Sequence, residues 1–461
     1  MKIHLSIFGV LCALLTTASA ADRPNIVIFL ADDLGWADVG FHADDIKTPN
    51  LDRLARSGVQ LEQFYVQPTC SPTRIALMSG RYPFRCGGHI SVLRPHHKHG
   101  LPLDEYLLPQ VLKDAGYQTA ITGKWHLGVA RRAYWPTSRG FNLAYGHLGG
   151  GIDYLTHEGH GILDWYDQDT IPLREEGYST DLIGTRASSI IAEHDFSKQP
   201  LFLYVPFNAP HSPYQAKEED LDKYKHIKDE RRKTYCAMVD CMDQNIGKIM
   251  HALEEKGATQ NTLVFFASDN GGSNASINKP LRGGKGTLYE GGTRVPSFIS
   301  WPATIKGGQT FEPPLHIVDL LPTFAGLAGA ETSKCKPLDG IDFWPALAQG
   351  KPLPKRDLLH NVNDPSGRGC IRSGEWKLIL SKEERKADGI PLPDSKLYAE
   401  LFNIQKDPYE QENLAAAHPE LVETLWNKLK SHGPEVASAK AYTAKQPEDW
   451  IAPPDWSKVP E

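Results

Sequence analysis

Several apolar runs along the chain break off abruptly into polar residues. "NIVIFLADD" ends in Asp32 and Asp33, and "YQTAITGKWH" ends in Lys124 and His126. "LFLYVPFNAPH" ends at His211, and "LVFFASDNGG" ends in Asp269 and Asn270. Uninterrupted Val, Ile, Leu and Phe, without polar alternation, is the pattern of strands buried on both faces. Between these runs, "TPNLDRLARSGV", "LPQVLKDAG", "LIGTRASSIIAEH" and "RRKTYCAMVDCMDQNIGKIMHALEEKG" space their apolar residues as helices do. Strands alternating with helices predict an α/β sandwich around a large, mainly parallel sheet. Ligands of such sheets bind beyond the carboxyl ends of the strands, so these polar strand ends point at one shared site.

A second pattern follows the Pro-rich stretch "GKPLPKRD". "GCIRSGEWKLILS" and "KLYAELFNI" predict short antiparallel strands, and "HPELVETLWNKLKSHG" predicts an amphipathic helix stopped by Gly433. The expected division is a leader over 1–20, a large domain over 21–350, and a smaller α+β subdomain with a tail over 351–461.

Composition narrows the function. With 461 residues, 40% of them hydrophobic, the chain can bury a sizeable core. A net charge of −6 without a basic block or basic–aromatic stripe argues against a nucleic-acid partner. "MKIHLSIFGVLCALLTTASA" has an early Lys, an apolar centre and a small-residue end, which predicts a signal peptide cut after Ala20. Its apolar run is short for a membrane span and no later segment resembles one, so a periplasmic or secreted protein is expected. The predicted mature chain keeps Cys70, Cys86, Cys236, Cys241, Cys335 and Cys370, with no metal-type CxxC.

Asp32, Asp33, Asp269 and Asn270 are hard oxygen donors without nearby thiolates, a set that suits Ca²⁺ or Mg²⁺ rather than zinc. In "PTCSPTRIALMSGRYP", Ser71 is suited to cap a short helix that has Pro72 at its first position and ends at Gly80. Cys70 and Arg74 then sit at the anion-attracting end of that helix. Cys70 has three readings: a buried structural thiol, a thiolate nucleophile lacking a His neighbour in sequence, or a side chain processed within the unit "CSPTR". "GGKG" around Lys285 lacks the Walker spacing of a P-loop. "RPHHKHG" reads as a solvated basic loop.

The unit "CSPTR" is similar to the C-x-P-[ST]-R stretch of the type I sulfatases, with Thr73 where Ser is commoner. "RPNIVIFLADDLGWADVGFH", "GKWHLG", "SDNGG", "GGKGTLYEGGTRVP" and "ELFNIQKDPYEQENLA" resemble further blocks of that family, in its order. "IDYLTHEGHGILDWYDQDTIPLREEGYSTD" and "HSPYQAKEEDLDKY" look most like the arylsulfatase B group, which removes 4-sulfates from N-acetylgalactosamine. The resemblance implies an alkaline-phosphatase-like sandwich and oxidation of Cys70 to formylglycine by a formylglycine-generating or sulfatase-maturing enzyme. It implies one Ca²⁺ held by Asp32, Asp33, Asp269, Asn270 and modified Cys70, with Arg74 holding the formylglycine. Lys124 and Lys285 would grip the sulfate, His126 would act as base near the aldehyde hydrate, and His211 would face the leaving oxygen.

The implied substrate is a sulfated oligo- or polysaccharide, such as a glycosaminoglycan or carrageenan, with a 4-sulfate on galactose or N-acetylgalactosamine. The Gly-rich loop carrying His147, His157 and His160, with Asp153, Tyr154 and Trp165, is the expected sugar pocket, and the "RPHHKHG" loop is expected near the substrate entrance. Two other readings stay open: a phosphonate or phosphodiester hydrolase of the same superfamily, and a non-catalytic glycan-binding protein with Cys70 unconverted.

Overall fold

A computed structural model describes residues 23–168, 171–382, 389–393, 395–438 and 445–453; the predicted leader over 1–20 lies outside them. The strands of the large sheet are β1 (Asn25–Ala31), β2 (Val59–Leu61), β3 (Gln118–Lys124), β4 (Leu143–His147), β5 (Tyr166–Asp167), β6 (Leu201–Pro206), β7 (Thr262–Ser268), β8 (Ser297–Ser300) and β9 (Gln309–Phe311). They lie in the order β9-β2-β8-β7-β1-β6-β3-β4-β5. The apolar runs singled out in the sequence are β7, β1, β6 and β3, adjacent and mutually parallel at its centre. Antiparallel pairing enters toward the edges, where β8 meets β7 and β5 meets β4.

Every residue of β1, β6 and β7 is buried. Ile26, Ile28 and Leu30 face one core, while Val27, Phe29 and Ala31 face the other. Each such side chain contributes roughly 1.5–3 kcal/mol on full burial, which fixes the strands and hence the level at which they end. Register then places the polar residues together. Ala31 pairs with Ser268, so Asp32 and Asp269 leave neighbouring strands at the same height. Asp269 N–H donates to the Ala31 carbonyl at 2.9 Å, and Phe207 N–H to that of Leu30 at 2.9 Å.

The predicted helices form as α1 (Pro49–Ser57), α2 (Cys70–Ser79), α3 (Leu108–Asp114), α4 (Ser179–Glu193) and α5 (Glu230–Glu255). Helices α1, α4 and α5 cover one face of the sheet, while α2 and α3 cover the other. The start of α2 corrects the sequence expectation. It begins at Cys70, with Thr69 at the cap position, and Ser71 lies inside the first turn. The Ser71 hydroxyl donates to the His126 carbonyl at 3.1 Å, so a tertiary contact has taken the group assigned to capping. Gly80 does end the helix, at φ 66°, a conformation that favours glycine.

A smaller antiparallel sheet follows: β10 (Asp357–His360), β11 (Gly369–Ser373), β12 (Trp376–Ser381), β13 (Ile390–Pro391) and β14 (Tyr398–Asn403), ordered β10-β11-β12-β14-β13. Its Leu359, Ile371 and Leu378 share one core with Ile26 and Ile28 of the large sheet. Helix α6 (Pro419–Ser431) packs on it, and Gly433 opens the next short turn instead of capping the helix. Cys70, Cys86, Cys236, Cys241, Cys335 and Cys370 are all free thiols. Among the described residues, no helix is long and apolar enough to cross a membrane.

Candidate active site

The polar ends of β1, β3, β6 and β7 converge on the first turn of α2. Cys70 is 1% exposed, and its Sγ donates to Asp32 Oδ1 at 3.3 Å and lies 4.0 Å from Asp33 Oδ1. Arg74, one turn further along α2 and fully buried, donates from Nε and Nη2 to Asp269 Oδ2 at 3.1 and 2.9 Å. Its Nη1 donates to the Lys124 carbonyl at 3.0 Å, tying β3 to α2. Lys124 Nζ pairs with Asp32 Oδ2, and Lys285 Nζ lies 2.6 Å from Asp33 Oδ1 and 2.8 Å from its Oδ2. The Gly-rich segment around Lys285 is therefore a structured contributor, which its sequence alone did not distinguish from a turn.

His211 is half-buried; its Nδ1 donates to the Ser212 carbonyl at 2.6 Å, leaving Nε2 3.8 Å from Asp33 Oδ2. His126 Nε2 lies 2.9 Å from the Leu93 carbonyl, to which it donates, and its buried Nδ1 has no hydrogen-bond partner. Cys70, His126, His211 and Lys285 all line one cleft of about 690 Å³. That volume is in the range of small-ligand sites.

Electrostatics sort these groups. Asp32 is fully buried, which alone would raise its pKa, yet Lys124, His211, Arg74 and Lys285 together hold it well below the usual carboxylate range. Burial and the neighbouring Asp32 push Asp269 up to about 6, although Arg74 opposes them. Burial, Asp269 and Asp32 push the Cys70 thiol well above its ordinary value. An unmodified Cys70 is thus held as a neutral thiol, with no histidine base among its hydrogen-bond partners. This geometry argues against the thiolate reading.

Donor atoms of Asp32, Asp33, Cys70 and His211 lie within 4.8 Å of one another. Asn270 donates from Nδ2 to Asp33 Oδ1 at 2.8 Å, while its buried Oδ1 lacks any hydrogen-bond partner. A buried carbonyl oxygen without a donor is costly, and beside two carboxylates a hard cation would satisfy it. The residues fit Ca²⁺ or Mg²⁺. Asp269 borders this group through its Oδ1, which accepts from Asp33 N–H at 3.3 Å.

Every candidate catalytic and metal-ligating residue is thus gathered at the strand ends, but the expected sugar pocket needs correction. Trp165 is fully buried and donates from Nε1 to Glu175 at 3.1 Å; His157 is buried as well and stacks on the Trp165 ring. The Tyr154 hydroxyl lies 2.7 Å from the Asn208 carbonyl and 2.8 Å from that of His211, so it clamps the loop bearing His211 and offers no face to a sugar. Asp153 and His160 do line the cleft. His147 ends β4 directly beside Lys124 and is 1% exposed, with both ring nitrogens unpartnered. Sequence reading had placed it with the sugar; its apolar strand "NLAYGH" was the signal that it joins the sheet.

Comparison with known proteins agrees with this geometry. The sulfatase family profile matches residues 24–330. Arylsulfatase J of Mus musculus is 36% identical over 474 residues, spanning 93% of this chain and 79% of its own. N-acetylgalactosamine-6-sulfatase of Rattus norvegicus is 36% identical over 438 residues, spanning 86% of this chain and 82% of its own. The crystal structure of Ps i-CgsB superposes with a TM-score of 0.82 at 34% identity, covering 90% of this chain and 94% of that one. The same protein has been solved in complex with k-i-k-neocarrahexaose, and that complex superposes with a TM-score of 0.81. The chain belongs to the type I sulfatase family and is a sulfuric ester hydrolase.

Proposed function

We propose that this protein removes a sulfate ester, a 4-sulfate on galactose or N-acetylgalactosamine, from a sulfated glycan outside the cytoplasm. The observation that carries the reading is the charge arrangement around Cys70. Asp32, Asp33 and Asp269 are balanced by Arg74, Lys124 and Lys285 at the floor of a solvent-open cleft. Ps i-CgsB, similar along nearly the whole chain, is described with a bound carrageenan-type hexasaccharide, which supports a glycan as the class of substrate.

In this proposal Asp32, Asp33, Asp269 and Asn270, with residue 70, hold one Ca²⁺, and Cys70 is oxidised to formylglycine by a maturing enzyme. When present, the ion supplies positive charge for sulfate oxygens and the hydrated aldehyde supplies an oxygen nucleophile. The chain's own residues do the rest. Lys124 and Lys285 add two positive charges where the sulfate charge must be neutralised, usually the largest catalytic contribution. Arg74, fixed by Asp269 and the Lys124 carbonyl, keeps residue 70 aimed at the cleft. His211, oriented by the Ser212 carbonyl, presents Nε2 and when protonated passes that proton to the departing sugar oxygen. His126, with Nε2 committed to Leu93, has Nδ1 left as the basic nitrogen.

Gly150 belongs to this machinery through what it lacks. A Cβ there would lie 2.6 Å from His126 Nε2 and 2.7 Å from its Cε1. At Gly151 the nearest atoms would be those of the His211 ring at 3.3 Å, a tight but tolerable approach. Gly150→Ala is expected to cut kcat about 10- to 100-fold by displacing His126, whereas Gly151→Ala costs less than about fivefold. Steady-state kinetics on an aryl sulfate compares them; equal kcat for wild type and Gly150→Ala would remove His126 from the mechanism.

The decisive experiment is a screen of defined sulfated oligosaccharides with protein made alongside a formylglycine-generating enzyme, sulfate release being read position by position. Release from 4-sulfated galacto-configured sugars is expected, lost on chelation and restored by Ca²⁺. Faster cleavage of an aryl phosphodiester than of an aryl sulfate would overturn the substrate assignment.

A further inference from the structure

The cleft extends past the catalytic groups to a rim that carries both a guanidinium and carboxylates. Arg94 and His160 are both exposed and line the same cleft as Cys70 and Lys285. They come from separate loops and meet on the wall of that one cleft, where desolvation of the ring and then the Arg94 charge disfavour protonation of His160. The carboxylates of that cleft are already engaged. Asp153 accepts from the N–H groups of Leu155 at 2.9 Å and Thr156 at 2.8 Å, and from Gln215 Nε2 at 2.6 Å. Glu158 pairs with Arg174 at 3.7 Å. Among the described residues, no carboxylate lies in ion-pair range of Arg94. A guanidinium without a counter-ion at the edge of a substrate cleft is poised for an anion that presents two oxygens to its N–H fork, as a sulfate does.

The backbone adds an independent observation. Glu158 pairs with Leu163 and Gly159 with Ile162, so His160 and Gly161 are the two residues of a hairpin turn. Their φ angles are 55° and 81°, as the type I′ hairpin turn requires at both central positions. Asn, Asp or Gly serve that first position at least cost. Histidine there is the less comfortable choice, and it places an imidazole donor on the cleft wall. Ile90, 41% exposed, lines the same cleft and offers an apolar surface for a sugar face.

We propose that Arg94 and His160 form a subsite for a second sulfate group, carried by the sugar next to the one being desulfated. It rests on the reading of the protein as a glycan sulfatase and adds a selectivity to it: the enzyme prefers chains sulfated on adjacent sugars to isolated sulfates. Arg94 supplies the charge and the bidentate N–H pair, and His160 supplies a neutral donor from the opposite loop. A charge-assisted hydrogen bond of this kind corresponds to about a 10- to 100-fold preference.

The test uses the full, converted chain and a hexasaccharide of one backbone carrying either a single cleavable sulfate or that sulfate plus one on the adjacent sugar. Wild type is expected to show a kcat/KM about 10- to 100-fold higher on the doubly sulfated chain, expressed in KM and weakened by salt. Arg94→Ala should erase that preference, His160→Ala should reduce it, and Arg94→Lys should retain part of it. An aryl sulfate, too small to reach the rim, reports the catalytic centre in each variant. Equal losses on all three substrates, or an undiminished preference in Arg94→Ala, would overturn the subsite. A wild type inactive on the aryl sulfate and on both hexasaccharides would instead overturn the underlying sulfatase reading.

Discussion

Replacing Cys70 with alanine is expected to lower kcat/KM on an aryl sulfate by at least about 10⁴-fold, the scale on which removing a covalent nucleophile acts. Cys70→Ser should fall as far, although its hydroxyl fills the same space, because a serine oxygen is not a hydrated carbonyl. The geometry shows why the native thiol is no substitute. It is buried against Asp32 and Asp33, donates to a carboxylate, and has burial and Asp269 opposing ionisation. Residue 70 also begins α2 and packs among fully buried neighbours, yet alanine removes only weak contacts to Asp32 and Asp33 and serine keeps a donor there, so Tm should stay close to that of wild type. Peptide mass spectrometry gives the converted fraction of each preparation, and activity plotted against that fraction should extrapolate to zero. Turnover intact in a preparation whose residue 70 is wholly thiol would dismiss the processed nucleophile.

The large-sheet architecture and most of the site were legible because strand burial and strand ends are both written in local composition. An apolar run such as "LVFFASDNGG" states that its strand is covered on both faces, and the polar residues after it must then emerge at a sheet edge. The parallel register between Asn25 and Thr262 converts that local statement into the meeting of Asp32 with Asp269. What failed was the environment of residues in loops. Tyr154 and Trp165 have the composition of a sugar platform, but which way a ring turns depends on partners distant in sequence. For Tyr154 these are the carbonyls of Asn208 and His211, and for Trp165 the carboxylate of Glu175. Ser71 failed likewise: its preference for capping is worth about 1 kcal/mol, and one tertiary bond to His126 outweighs it.

Lys377→Met is expected to destabilise the protein by about 3–5 kcal/mol, lowering Tm by roughly 3–6 °C for a chain of this size, without lowering kcat of the folded molecules. Lys377 lies on β12 of the small sheet and is fully buried; its Nζ is 2.8 Å from Glu290 Oε1 and 2.8 Å from Glu410 Oε1. Glu290 also accepts from the Tyr65 hydroxyl at 2.7 Å, and Glu410 Oε2 accepts from the Glu290 N–H at 2.7 Å. One cation therefore touches two buried carboxylates at the seam between the sheets; methionine would leave Glu410 without its charge partner and Glu290 with only the more distant Arg294, 3.8 Å away, and Arg372. Burial, opposed mainly by Lys377, pushes Glu410 up to about 7, while Lys377, Arg294 and Arg372 overcome burial to hold Glu290 down at about 2. Glu410 is accordingly the member that takes a proton first. A carboxyl whose folded pKa is raised weakens the fold as pH climbs from its unfolded value toward its folded one. Removing Lys377 raises both carboxyls further, so the variant's deficit against wild type should be larger at pH 8 than at pH 5. Adding Glu410→Gln to Lys377→Met should restore part of the lost stability at pH 8, since the carboxylate that relies on Lys377 for its positive partner is gone. Thermal melts of the wild type and both variants at the two pH values read this directly. A single variant as stable as wild type at pH 8 would show that the buried triad is not what joins the small sheet to the large one.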